Sequence, residues 1–138
     1  MKRTANAVWN GSLKEGNGKI TTQSAVLNNT KYDFNSRFGD GKSTNPDELL
    51  AAAHAGCFAM ALSLILGQAG FTADSLDVTA VVTVNADKLE ITESHLTLKA
   101  KIPGITKDKF MECANGAKDN CPVSKALSIK IALDAELV

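Results

Sequence analysis

The sequence predicts a mixed α+β domain with the element order βββ-α-ββ-α-β. Three observations carry that expectation. The first third holds short β-branched segments broken by turn residues, one long uncharged apolar run fills the middle, and two alternating segments follow it. Strands and helices that segregate in this way favour antiparallel pairing over a doubly wound parallel sheet.

The elements follow in order. Ala5 to Trp9 is predicted as a strand and Asn10-Gly11 as a turn. Gly18 to Ser24 and Lys31 to Phe38 are predicted as the next two strands, the latter because Tyr32, Phe34 and Ser36 alternate before Gly39-Asp40-Gly41. These three strands should form an antiparallel sheet. Thr44-Asn45-Pro46-Asp47-Glu48 is a helix start. Asn45 or Thr44 caps it, Pro46 takes the first helical position, and two carboxylates face the positive end of the dipole. That helix should end near Gly67 or Gly70. Val78 to Val84 and Ile91 to Ile102 are predicted strands joined near Asn85-Ala86-Asp87. Ile105 to Lys118 is predicted helical, Pro122 opens a short helix to about Leu127, and Ser128 to Val138 is a last strand. No repeat or linker divides the 138 residues, so residues 1–138 are expected to be a single domain.

Composition narrows the function. Fifteen basic and fifteen acidic residues cancel, which disfavours a nucleic-acid binder and a polybasic membrane-surface protein. Aromatics at 5% disfavour base-stacking platforms. The charged opening MKRTANAVWN is not followed by an apolar segment, so no signal peptide is expected. Three cysteines are too few, and odd in number, for a secreted disulfide framework. A reducing cytoplasm is the expected location.

Leu49 to Leu66 is eighteen residues without a formal charge, the minimum for a membrane-spanning helix. Six of its residues are alanine, and His54 and Ser63 interrupt it. The favoured reading is the central helix of a water-soluble core.

The cysteines are the candidate chemistry. Cys57 follows Gly56 inside the apolar run. If the helix restarts there, the sulfur faces free amides and the positive end of a dipole, both of which favour thiolate. Pro122 makes Cys121 a helix N-cap with the same surroundings. Either cysteine could instead be packing or turn material. Cys113 reads as packing within a helix. Zinc is disfavoured because the chain lacks tight CxxC or HxxxH pairs. His54 reads as a satisfied helix histidine and His95 as a strand-surface residue. A hydrolase built on Asp47, His54 and Cys57 has no motif behind it.

Asn35-Ser36-Arg37-Phe38, then TNPDELLAAAHAGCFAMALSLIL from Thr44 to Leu66, then Cys121-Pro122-Val123-Ser124 closely resemble the OsmC and organic-hydroperoxide-resistance family. The resemblance covers nearly the whole chain. It implies antiparallel sheets wrapped around central helices in an intertwined homodimer, with active sites at the subunit interface. It also implies a thiol peroxidase that reduces organic hydroperoxides without haem, flavin or metal. By motif position Cys57 resembles the peroxidatic cysteine, Cys121 the resolving cysteine and Arg37 the activating arginine. The family's glutamate partner for that arginine falls at Asp47, one methylene shorter, with Glu48 beside it as the alternative anchor. The reductant implied is a lipoyl-protein or thioredoxin-type dithiol. Nothing in the resemblance involves nucleic acid or a membrane.

The physical logic is that a thiol of pKa about 8.5 is mostly protonated at neutral pH and needs a cation to ionise. Ten residues of unbroken helix would separate Asp47 from Cys57 by about 15 Å, with an angular offset near 80°. They cannot share one site in that geometry, so a helix break is expected between Ala51 and Gly56, with the Asp47 turn folding back. Phe34, Phe38, Phe58, Met60 and Phe110 are candidates for an apolar pocket, with ordinary core as the competing role. Two other functions stay open: a non-enzymatic dimeric stress or ligand-binding protein, and a general thiol–disulfide oxidoreductase, which the missing CxxC disfavours.

Overall fold

The computed structural model describes residues 1–138. The chain divides into two compact units, Met1–Leu49 and Leu50–Val138. The first holds a three-stranded antiparallel sheet in the order β1-β2-β3, from β1 (Ala5–Asn10), β2 (Asn17–Thr22) and β3 (Thr30–Tyr32). Gly18 lies opposite both Trp9 and Tyr32, whose rings sit 5.4 Å apart. A Cβ at Gly18 would come within 2.3 Å of the Tyr32 ring, so the side chain must be absent for the rings to cover the strand.

The expected strand over Lys31 to Phe38 is corrected. It stops at Tyr32 and gives way to helix α1 (Phe34–Phe38). The cause is local. Asp33 Oδ1 accepts from the Ser36 amide at 2.8 Å, and Ser36 Oγ accepts from the Asp33 amide at 3.1 Å, a reciprocal cap that starts a helix.

Helix α2 (Pro46–Gln68) starts where expected, with Asn45 Oδ1 accepting from the Glu48 amide at 2.8 Å. It runs without interruption, so the expected break between Ala51 and Gly56 is absent. Gly56 is exposed and crowds nothing, and the i→i+4 ladder simply continues through it. By length and composition α2 could cross a membrane, yet beyond Asp47 in its first turn only one stripe of it is buried: His54, Phe58, Leu62 and Leu66, four residues apart.

The second unit adds β4 (Ser75–Asn85), β5 (Glu90–Lys101), α3 (Lys107–Asn120), α4 (Pro122–Ala126) and β6 (Lys130–Leu137). Its sheet runs β4-β5-β6. β4 and β5 are antiparallel, but β6 pairs parallel to β5, which corrects the expectation of purely antiparallel sheets. The α3–α4 segment is the crossover that a parallel pair requires. Alternation along β5 turns Ser94, Leu96, Leu98 and Ala100 inward, against Phe58, Leu62 and Leu66 of α2 and Phe110, Cys113, Ala114 and Ala117 of α3. Burial of that apolar surface is the main stabilising term of this unit.

Candidate active site

Arg37 closes the last turn of α1, and a run of polar contacts fixes what it meets. Ser36 Oγ lies 2.9 Å from the Thr44 carbonyl, and Asn45 Nδ2 donates to the Ser36 carbonyl at 2.8 Å. Asn45 therefore ties α1 to the start of α2, whose first turn it also caps. Asp47 is thereby brought to Arg37. Arg37 Nε donates to Asp47 Oδ2 at 2.9 Å and Nη2 to Oδ1 at 3.2 Å, a two-pronged pair that fixes the guanidinium plane. Glu48 is exposed and makes no ion pair, so of the two carboxylates Asp47 is the anchor. Beside this pair a cleft of about 210 Å³ is lined by Trp9, Tyr32, Phe34, Phe38 and the arginine itself.

The second grouping lies in the other unit. Cys57 sits in the middle of continuous helix, so it lacks the free amides expected of a helix restart. The amide directed at its sulfur comes from Val123, in the first turn of α4. Cys121 is the N-cap residue of α4 with Pro122 behind it, as expected. Its sulfur closes no cap hydrogen bond of regular geometry, but the Ser124 and Val123 amides and the Ser124 hydroxyl are turned toward it. The Cys57 and Cys121 thiols are hydrogen-bond partners, and both are free. The structure thus brings together two sulfurs that the sequence holds sixty-four positions apart.

The electrostatics of the two sulfurs differ. Burial pushes the Cys57 thiol above its ordinary value, the hydrogen bond to Cys121 adds to that, and the Val123 amide opposes it. Burial also acts upward on Cys121. There the hydrogen bond from Cys57, the Ser124 amide and hydroxyl and the Val123 amide outweigh it, and the thiol is held below its ordinary value. Cys57 needs a cation from elsewhere to become an anion.

A cleft of about 660 Å³ opens at Cys57, walled by Met60, Ala61, Leu64, Ile65, Asn120 and Pro122. Of the apolar candidates, Met60 lines this cleft and Phe34 and Phe38 line the one at Arg37, whereas Phe58 and Phe110 are core. Cys113 is buried in α3 and takes no part in the thiol pair. His95 lies on the outer face of β5, 2.7 Å from Asp134.

The family model described as OsmC-like protein matches residues 39–136. The chain belongs to the OsmC-like family. It is 46% identical to the peroxiredoxin OsmC of Escherichia coli strain K12, over 99% of this chain and 97% of that protein. It is 28% identical to the organic hydroperoxide resistance protein OhrB of Bacillus subtilis strain 168, over 87% of this chain and 88% of that protein. Among solved structures it is similar to an organic hydroperoxide resistance protein from Elizabethkingia anophelis, with a TM-score of 0.75 and 25% identity, over 100% of this chain and 99% of that one. The element order predicted above is thus that of an OsmC-like fold, with α1 added and β6 reversed.

His54 is the satisfied helix histidine expected from the sequence, and the structure supplies the partners that the sequence did not name. His54 has no exposed surface, and its two ring nitrogens meet two serine hydroxyls: Nδ1 lies 2.7 Å from Ser94 Oγ and Nε2 2.9 Å from Ser124 Oγ. Burial pushes the imidazole below its ordinary value. The available signal was Ser94, a polar residue in register with the inward-facing Leu96 and Leu98.

Proposed function

We propose that this chain is a cysteine-dependent peroxidase that reduces organic hydroperoxides to alcohols. The observation that carries the proposal is the Cys57–Cys121 thiol pair, whose Cys57 lines an apolar cleft while Cys121 lies buried behind it. The relatives named as a peroxiredoxin and as organic hydroperoxide resistance proteins support a peroxide-detoxifying role.

The cycle has three steps. The Cys57 thiolate attacks the distal peroxide oxygen. An S–O bond forms, the O–O bond breaks, and the alkoxide leaves as alcohol after taking a proton. Cys121 then attacks the sulfenic sulfur, forming the Cys57–Cys121 disulfide and releasing hydroxide as water. A dithiol of lipoyl or thioredoxin type returns both cysteines to thiols by exchange.

Arg37, oriented by Asp47, supplies the cation that Cys57 lacks and stabilises the departing alkoxide. The working unit is a homodimer, in which the Arg37–Asp47 pair meets the thiol pair at the subunit interface. Two features support this. The uninterrupted α2 keeps the Asp47 backbone about 15 Å along the axis from that of Cys57. The α2 face beside Cys57 leaves Met60 77% and Leu64 63% exposed, an apolar surface that a second copy would cover. Residues 1–138 then act as one functional domain in a reducing, cytoplasmic setting.

The test is consumption of tert-butyl hydroperoxide with a dithiol. The Cys57→Ser variant should lose turnover entirely. A Cys57→Ser variant that turns over at the wild-type rate would leave the cysteines as packing groups only.

A further inference from the structure

The buried His54 has no part in the cycle above, yet it stands one hydroxyl away from Cys121. We propose that His54, held by Ser94, is a positioning residue that aims the Ser124 hydroxyl at the sulfur of Cys121 and so controls how fast Cys121 closes the disulfide. This rests on the peroxidase reading and deepens its second step.

The argument begins with burial. His54 and Ser94 have no exposed surface, Ser124 is nearly buried, and every buried polar side-chain atom has a partner. His54 therefore has two neighbours, both hydroxyls, one from β5 and one from α4. No carboxylate touches the ring to stabilise an imidazolium, so it stays neutral and carries one N–H. The proposed tautomer carries that N–H on Nε2, 2.9 Å from Ser124 Oγ. In it Ser94 Oγ–H donates to Nδ1 and Nε2–H donates to Ser124 Oγ, which leaves the Ser124 hydroxyl proton free for the Cys121 sulfur beside it. Each group donates one bond onward, and the last donor faces the place where negative charge develops. The titratable groups facing Cys121 are Cys57 on α2 and, through Ser124, His54.

In the second step the Cys121 thiolate displaces hydroxide from the Cys57 sulfenic acid. The S–S bond forms as the S–O bond breaks. The Cys57 sulfur is reduced, the Cys121 sulfur is oxidised, and the hydroxide takes a proton from solvent. A donor fixed on Cys121 raises its thiolate fraction and holds its sulfur in line. Ser94 matters because it prevents the ring from turning away.

The experiment follows a single turnover with tert-butyl hydroperoxide in the full-length protein, trapping sulfenic acid with dimedone and measuring the disulfide by mass. His54→Leu and Ser124→Ala should slow disulfide closure about tenfold or more, the effect of losing one hydrogen bond to a charged group. Sulfenic acid should accumulate while the rate of Cys57 oxidation is unchanged. His54→Gln, whose amide N–H takes the place of Nε2–H, should restore closure. In a Cys57→Ser background the Cys121 thiolate absorbance should titrate at higher pH when Ser124→Ala is added, a readout that packing alone would not move. If wild-type Cys57 gives no sulfenic acid, the peroxidase reading fails. If sulfenic acid forms but closure and the Cys121 titration are unchanged in Ser124→Ala, this inference alone is overturned. Ser124→Ala removes only one oxygen, so it decides the matter even if His54→Leu does not fold.

Discussion

Arg37 and Asp47 form a two-pronged ion pair, with contacts of 2.9 and 3.2 Å, and Asp47 is itself nearly buried. A single carboxylate–ammonium contact would leave the cation free to swing. Two parallel bonds fix both its plane and its direction. Asp47→Ala should therefore reduce kcat/KM for tert-butyl hydroperoxide by at least tenfold, because an unanchored guanidinium stabilises a thiolate only part of the time. The Arg37 side chain is 35% exposed, so stability should fall by no more than about 1 kcal/mol in a denaturant titration. A large loss of stability with unchanged kcat/KM would reassign the pair to a structural role.

Cys57 supplies a second prediction. Burial raises its thiol, so without a cation its reactive fraction should grow as pH rises past the ordinary thiol range. In a Cys121→Ser background that keeps Arg37, Cys57 should react with iodoacetamide with a midpoint below that range. Adding Arg37→Ala should move the midpoint above it. Identical profiles with and without Arg37 would remove the arginine from thiol activation.

Much of this was legible in local grammar, and what was missed is mostly non-local. Asn45-Pro46 signals the start of α2 because a cap and a proline act within one turn. The change from strand to helix at Asp33 was hidden, since a reciprocal cap between residues three apart overlies the alternation of Tyr32, Phe34 and Ser36. The parallel pairing of β6 depends on how far α3 and α4 carry the chain, which periodicity does not encode. Cys57 and Cys121 each carry a local signal, but the pairing came from family resemblance alone. Ser94 betrays a buried polar partner by its register without naming His54.

The exposed α2 face yields a third prediction. Met60 and Leu64 flank the Cys57 cleft, and a helix surface this apolar is costly to leave in water. Leu64→Glu should weaken self-association by an order of magnitude or more in sedimentation, because the charge would be desolvated in the interface. Activity should fall in parallel with the dimer fraction. Mixed dimers of Cys57→Ser with Arg37→Ala should regain turnover if each site draws on both copies.

His54 makes stability depend on pH, with a sign that can be worked out. Burial lowers its folded-state value, and the facing groups, Ser94 and Ser124, are uncharged hydroxyls that offer no compensation. In the unfolded chain the imidazole binds a proton near its ordinary value of about 6.5. Below that pH the unfolded state holds more protons than the folded state, so stability falls as pH falls. The contribution of His54 is thus fully present above about pH 6.5 and is lost progressively toward the lower folded-state value. Denaturant midpoints of the wild type measured from pH 8 down to pH 5 should decline across this window, and those of His54→Gln, which does not titrate, should decline less. His95 is the same in both proteins, so the difference between the two curves belongs to His54. Parallel curves would mean that the imidazole is protonated in place, and that the ring is not the neutral link between Ser94 and Ser124 that the buried geometry requires.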